Sequence, residues 1–170
     1  EIRLSLVGSE MCIRDRVVCL VSRQHPAVRR GWTADDWLAA DHVAPTPLHP
    51  GAKGFIDDHL ALQGMSRRVT ARCAHFGQIP AMVADTLLVL TTGRQYCERF
   101  VDELPVAILP CPVPMPRMMY YQLWHARAHQ SDAVRWLRDT VKSVAAGLRG
   151  GGEPAAPPPP AARRTLAEKA

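Results

Sequence analysis

Between Val17 and Leu148 the chain alternates short apolar runs with segments of helical period, and this alternation constrains its fold more than any other feature. VVCLVSR (Val17–Arg23) is a continuous apolar run of strand length that His25-Pro26 ends. Thr33 is placed to cap a short helix over Ala34–Ala40, with Asp35 and Asp36 in its first turn. HVAPT (His42–Thr46) is a brief strand leading into a proline-rich loop. Phe55, Ile56, His59, Leu60 and Leu62 recur near every 3.6 residues, so a helix is expected there, stopped by Gly64. In Arg67–Ala74 the apolar Val69, Ala71 and Cys73 alternate with Arg68, Thr70 and Arg72, the period-two pattern of a half-exposed strand.

The pattern continues with a helix over Ile79–Thr86, a strand over Leu87–Thr91, a helix over Arg94–Glu103 and a strand over Val106–Pro110. A proline-punctuated linker, Cys111–Arg117, then leads to a strand at Met118–His125. Ser131 opens a last helix, Asp132–Leu148, with Val134, Leu137, Val141 and Val144 on one face and Arg135, Arg138 and Lys142 turned to water. Such alternation implies an α/β fold with a mainly parallel sheet covered by helices on both faces. Sheets of that kind bind ligands at the carboxyl ends of their strands.

A length of 170 residues suits one domain or two small lobes, and 47% hydrophobic with 22% charged residues excludes a wholly disordered, collagenous or coiled-coil chain. The net charge of +5 is spread over isolated residues and pairs such as Arg29-Arg30, which reads as a solvated surface and not a nucleic-acid face. No apolar run reaches the ~20 residues needed to cross a bilayer, and no export signal is visible, so a cytoplasmic location without a membrane partner is expected. Five cysteines without CxxC spacing read as free thiols in a reducing compartment.

The two ends differ from the middle. Residues 149–170 are rich in glycine and proline and are expected to be a disordered tail. Ser5–Arg16, SLVGSEMCIRDR, resembles translated sequencing-adapter read-through, so residues 1–16 are set aside as non-native; the other reading is a short strand over Ile2–Val7 with a turn at Gly8-Ser9.

No phosphate-binding glycine loop, zinc-protease motif or nucleophile elbow is present. His42, His49, His59, Asp57 and Asp58 have no compact ligand spacing, and adjacent carboxylates on a helix diverge by ~100°, so neither a metal, nor a cofactor, nor a catalytic pair is expected. Three loops follow strands, at Ala44–Leu48, Ala74–Gly77 and Thr91–Gly93. They offer Thr46, His75, Gln78, Thr91 and Thr92 as hydrogen-bonding groups and Phe76 as an apolar wall. That mixture suits a small aromatic or carboxylated effector, whose carboxylate the amide groups of the helix after Phe76 could receive.

Taken in order, VVCLVSRQHP, TADDWLAADHV, FIDDHLALQGMSRRV, AHFGQIPAMVADTLLVLTTGRQ and YYQLWHARAHQSDAVRWLRDTV resemble the effector-binding region of LysR-type transcriptional regulators. The strand ending in Trp124-His125 and the helix carrying Arg135–Arg138 are the most telling. The resemblance implies a fold like that of type II periplasmic binding proteins, with two α/β lobes, two crossing strands and an effector in the cleft. Residues 17–113 then correspond to the second lobe and residues 117–148 to the return into the first. It further implies a small-molecule effector, a homo-oligomeric full-length protein, and DNA contacts made only through an N-terminal helix-turn-helix domain outside this sequence. Met118–Leu148 would expose apolar surface, with poor solubility or self-association as the consequence. A solute-binding receptor of similar fold, or a small α/β enzyme using His75 or Asp57 and Asp58, are the competing readings.

Overall fold

A computed structural model describes residues 6–47, 49 and 51–147. The expected tail at 149–170, Leu48 of the first loop and Leu148 at the end of the last helix lie outside the described residues.

Two sheets are formed. The larger has five strands in the order β4-β3-β5-β2-β6, made of β2 (Val17–Ser22), β3 (Asp41–Pro45), β4 (Arg68–Cys73), β5 (Val89–Gly93) and β6 (Val106–Pro110). β3 runs parallel to both β4 and β5, whereas β2 runs antiparallel to β5 and β6. Four strands therefore point the same way and β2, next to the edge strand β6, is reversed, so two of the four pairings are parallel and two antiparallel.

The reversed strand explains the core. All six residues of β2 are buried. Val17, Cys19 and Val21 pack on one face with Trp37, Ile56 and Leu60, which belong to α2 (Ala34–Ala39) and α3 (Phe55–Leu62). Val18 and Leu20 pack on the other with Ile79, Val83 and Cys97, from α4 (Ile79–Ala84) and α5 (Arg94–Glu98). A strand covered on both faces reads as an unbroken apolar run, as Val17–Ser22 does.

Local chemistry sets the element boundaries. Thr33 and Asp36 form a reciprocal capping box at the start of α2. Gly64, at φ +67°, ends the chain's path out of α3 in a conformation that favours glycine. The expected helices at 79–86 and 94–103 are shorter than their patterns, ending at Ala84 and Glu98. Thr86 turns its hydroxyl back to the Met82 carbonyl at 2.7 Å and accepts from the Leu88 N–H, replacing a further helical turn. His25-Pro26, read as a strand stop, also opens a helix: α1 (Pro26–Arg30) has proline at its start and the His25 ring accepting from the Ala27 N–H.

β1 (Leu6–Asp15) pairs antiparallel with β7 (Met118–His125) in a separate two-stranded sheet, against which α6 (Asp132–Gly147) packs. Of the segment set aside as non-native, Leu6–Asp15 thus forms a strand with Gly8-Ser9 inside it and not at a turn, while Ile2–Ser5 of the alternative strand lie outside the described residues. Ladder hydrogen bonds come from the main chain, which any non-proline sequence of this length supplies, and the pairing has two register irregularities. α6 differs from its expected faces. Leu137, Val141 and Val144 are exposed, whereas Arg138 turns inward and lays its guanidinium over the Trp124 ring at 4.3 Å. With Tyr121, Leu123 and Trp136 also exposed, this unit carries the uncovered apolar surface that the sequence led one to expect.

His42 is fully buried beneath α2, its Nε2–H donating to the Trp37 carbonyl at 2.7 Å and its ring edge-on to the indole. Burial pushes its pKa down from 6.5 to about 4, outweighing the upward pull of that hydrogen bond. Above pH 6.5 the imidazole is neutral in both the folded and the unfolded chain; on acidification the unfolded chain takes up a proton that the folded one refuses. Stability contributed by His42 is thus complete above pH 6.5 and falls as the pH drops towards 4. The loss has a ceiling of about 3 kcal/mol. Urea denaturation at pH 7 and pH 4.5 should show a steeper acid loss for the native chain than for His42→Gln; equal slopes would contradict it.

Candidate functional site

The register places the carboxyl ends of β3, β4, β5 and β6 along one edge of the large sheet. Pro45 is paired with Cys73, Val17 with Gly93, and Val18 with Pro110. The first residue of β2 lies on the same edge. Both connections to the small sheet, from β1 into β2 and from β6 through Cys111–Arg117 into β7, leave from it as well. Any ligand held between the two sheets' units meets this edge.

The six residues singled out from the sequence all lie on or near that edge, but they do not form one constellation. Thr46 is exposed, and its N–H donates to the Cys73 carbonyl at 3.0 Å, so it stands beside the end of β4. His75 and Gln78 are exposed on the turn that follows. Thr91 and Thr92, expected in a loop, are instead buried within β5, because the strand extends to Gly93. Successive strand residues face opposite sides. Thr91 accordingly points to the Cys19 side, with its hydroxyl 3.6 Å from the sulfur, while Thr92 faces the α4 side.

Phe76 is half-buried, not a free wall. Its ring packs against Tyr96 at 4.5 Å between centroids, and the Tyr96 hydroxyl donates to the Phe76 carbonyl at 2.8 Å. Gln78 N–H is already occupied by the His75 carbonyl, closing a 3-10 turn before α4. That takes up one of the amide groups expected to receive a carboxylate. Thr46, His75 and Gln78 therefore stay exposed near the ends of β3 and β4, beside the Phe76–Tyr96 pair, whereas Thr92 is buried in β5 and Thr91 belongs to its opposite face.

The sequence reading missed a cleft of about 290 Å³ on the same edge, beside β6. Its walls include Arg16, Arg94, Arg117, Ile108, Cys111 and Met115. Those residues come from three separate stretches, which the pairing of β2 with β5 and β6 assembles, so no sequence pattern marks the cleft. The carboxylates considered earlier serve structure: Asp57 holds Arg67 through two hydrogen bonds of 2.7 and 3.3 Å. His59 sits against the Pro114 carbonyl at 3.1 Å, tying α3 to the crossover. Among the described residues no cluster of three or more His, Cys, Asp or Glu could hold a metal ion, and no helix is long and apolar enough to cross a membrane.

The Tyr96 hydroxyl fixes the turn that presents His75. Tyr96→Phe should cost about 1 kcal/mol, the usual net value of one such hydrogen bond, measured as a shift in the urea midpoint. No shift would show that the turn holds itself.

Comparison with known proteins now bears on this geometry. The family model described as LysR substrate binding domain matches residues 3–146. The regulator SyrM of Rhizobium etli is 31% identical over 142 residues, covering 82% of this chain and 40% of that protein. The activator NahR of Pseudomonas putida is 26% identical over 129 residues, 76% of this chain and 43% of that protein. The chain thus spans less than half the length of these relatives. A transcriptional regulator from Vibrio parahaemolyticus superposes with a TM-score of 0.69 at 26% identity, covering 84% of this chain and 66% of that one. The BenM effector-binding domain with its effector benzoate superposes at 0.66 with 14% identity, covering 91% and 69%, which shows a shared fold. The five-stranded sheet with its helices, joined by two crossovers to β1, β7 and α6, is the α/β type II periplasmic-binding-protein-like architecture that the resemblance implied. The chain belongs to the LysR substrate-binding domain family.

Proposed function

We propose that this chain is the effector-sensing portion of a LysR-type transcriptional regulator, and that it binds a small aromatic or carboxylated molecule without transforming it. The observation that carries the reading is the convergence of strand ends and both crossovers on one sheet edge, where Thr46, His75 and Gln78 offer exposed polar groups beside the Phe76–Tyr96 pair and Thr92 lies buried near the end of β5. Residues 17–113 act as the second lobe and residues 117–147 complete part of the first. A ligand bridging the lobes favours the arrangement that it fits best, and can shift the equilibrium only by its differential affinity for the two. Homo-oligomer contacts relay that shift to DNA-binding domains supplied by the rest of the full-length protein, in the cytoplasm.

The test begins with benzoate, the effector named for BenM, and extends to other aromatic carboxylates. Each is titrated into the full-length gene product on DNA from its own upstream region, with electrophoretic mobility as the readout. A saturable change in DNA binding is expected from at least one acid. His75→Ala should weaken its apparent affinity by about tenfold, near 1.4 kcal/mol. No response to any acid, or an unchanged response in His75→Ala, would overturn the reading or the site respectively.

A further inference from the structure

Three arginines meet at the cleft beside β6, where the two crossovers leave the large sheet. The last register pair of the small sheet joins Asp15 to Met118 on antiparallel strands. One step beyond it, Arg16 and Arg117 stand opposite each other, as the chain leaves β1 and as it enters β7. Like charges at facing positions are destabilising. The third arginine, Arg94, opens α5 beside them, and its N–H donates to the Arg16 carbonyl at 2.9 Å. All three line the cleft of about 290 Å³.

The fold supplies little to offset this charge. Arg94 gives its Nε to Glu98 at 2.7 Å, and Glu98 is not part of the cleft wall. The guanidinium groups of Arg16 and Arg117 make neither an ion pair nor a hydrogen bond to another described residue. Asp15, next to Arg16, has its carboxylate taken up by the N–H groups of Arg16 and Gln95, at 2.7 and 3.0 Å. The rest of the wall is apolar, with Val17, Ile108, Pro114 and Met115 among its members, and no carboxylate lines it. A basic mouth on an apolar wall, at the small end of the range for ligand pockets, fits a single ring that carries two negative charges.

We propose that this cleft is a second ligand site, which takes a small aromatic dicarboxylate held by Arg16, Arg117 and Arg94. It is separate from the His75 group: β6 and β4, the strand that His75 follows, are the two outer strands of the sheet. Four strand spacings, roughly 19 Å, lie between them, more than one such ring spans. Arg16 and Arg117 stand at the foot of the small sheet, and Arg94 belongs to the large one. An occupant therefore neutralises two facing charges and ties the two units together across both crossovers.

The full-length gene product is titrated in a calorimeter at low salt with the 1,2-, 1,3- and 1,4-isomers of benzenedicarboxylate, and with their dimethyl esters. At least one isomer should give a saturable binding event that survives His75→Ala, weakens as salt is raised and is absent with the ester. Arg16→Gln and Arg117→Gln should each weaken that event at least about fivefold. No such event with any isomer, equal binding of an ester, or unchanged affinity in both arginine variants would overturn the proposal. Binding that His75→Ala abolishes would overturn it too, while leaving the effector site as proposed above. Amide hydrogen exchange needs no variant: the bound isomer should slow exchange at Val113, Met115 and Arg117, and slowing confined to Ala74–Gln78 would contradict the assignment.

Discussion

Everything in the large unit depends on burying β2 on both faces and pairing it on both edges. Five of its six residues divide between two separate apolar clusters, so removing it would open both layers at once. A fully buried aliphatic side chain contributes about 1.5–3 kcal/mol by leaving water, which makes Leu20, Val21 and their neighbours the largest concentrated contribution to stability. Because β2 runs against β5 and β6, its first residue lies beside their last ones. The chain therefore enters and leaves the large sheet at the edge where the strands end. The two crossovers and the proposed ligand-facing edge thus share one place as a consequence of one strand's direction.

The sequence was most informative where one physical rule acted alone. The unbroken apolar run of β2, the alternation of β4, the Thr33–Asp36 cap and the strand–linker–strand passage from Val106 to His125 are local signals, and the structure reproduces them closely. The stop of α4 was less legible, because the side-chain hydrogen bond of Thr86 competes with helix continuation and leaves no periodicity behind. Thr91 and Thr92 were misplaced for a related reason: polar residues at a strand's end read as loop, although edge-to-edge pairing with Cys19 and Val18 keeps them in the sheet.

Features assembled from distant stretches were not legible at all. The orphaned Nη1 of Arg67 and the cleft beside β6 arise from the meeting of distant segments, which no single segment encodes. Arg138 shows the same limit on a helix. Its charge places it on the wet face by pattern, yet the flat guanidinium finds the Trp124 ring and moves inward, leaving Leu137 and Val144 outside. Cation–π contact and the partial covering of α6 together decide that orientation. Within the candidate site, residue types were legible but their facing was not. His75 and Thr46 project from turns, while Phe76 spends its ring on Tyr96.

We propose that the five-stranded sheet and the β1–β7–α6 unit open as separate cooperative units, although the Gln95 N–H donates to the Asp15 carboxylate at 3.0 Å and Met118 packs on the large core. Native-state amide hydrogen exchange of the intact chain, resolved by residue, tests it most directly. The account predicts that Val17–Ser22 and Val89–Gly93 exchange last and together, whereas amides of Met118–His125 and Asp132–Gly147 exchange markedly earlier as their own group. A single protection level shared by β2, β7 and α6 would contradict it, because it would mean that one cooperative core spans both sheets.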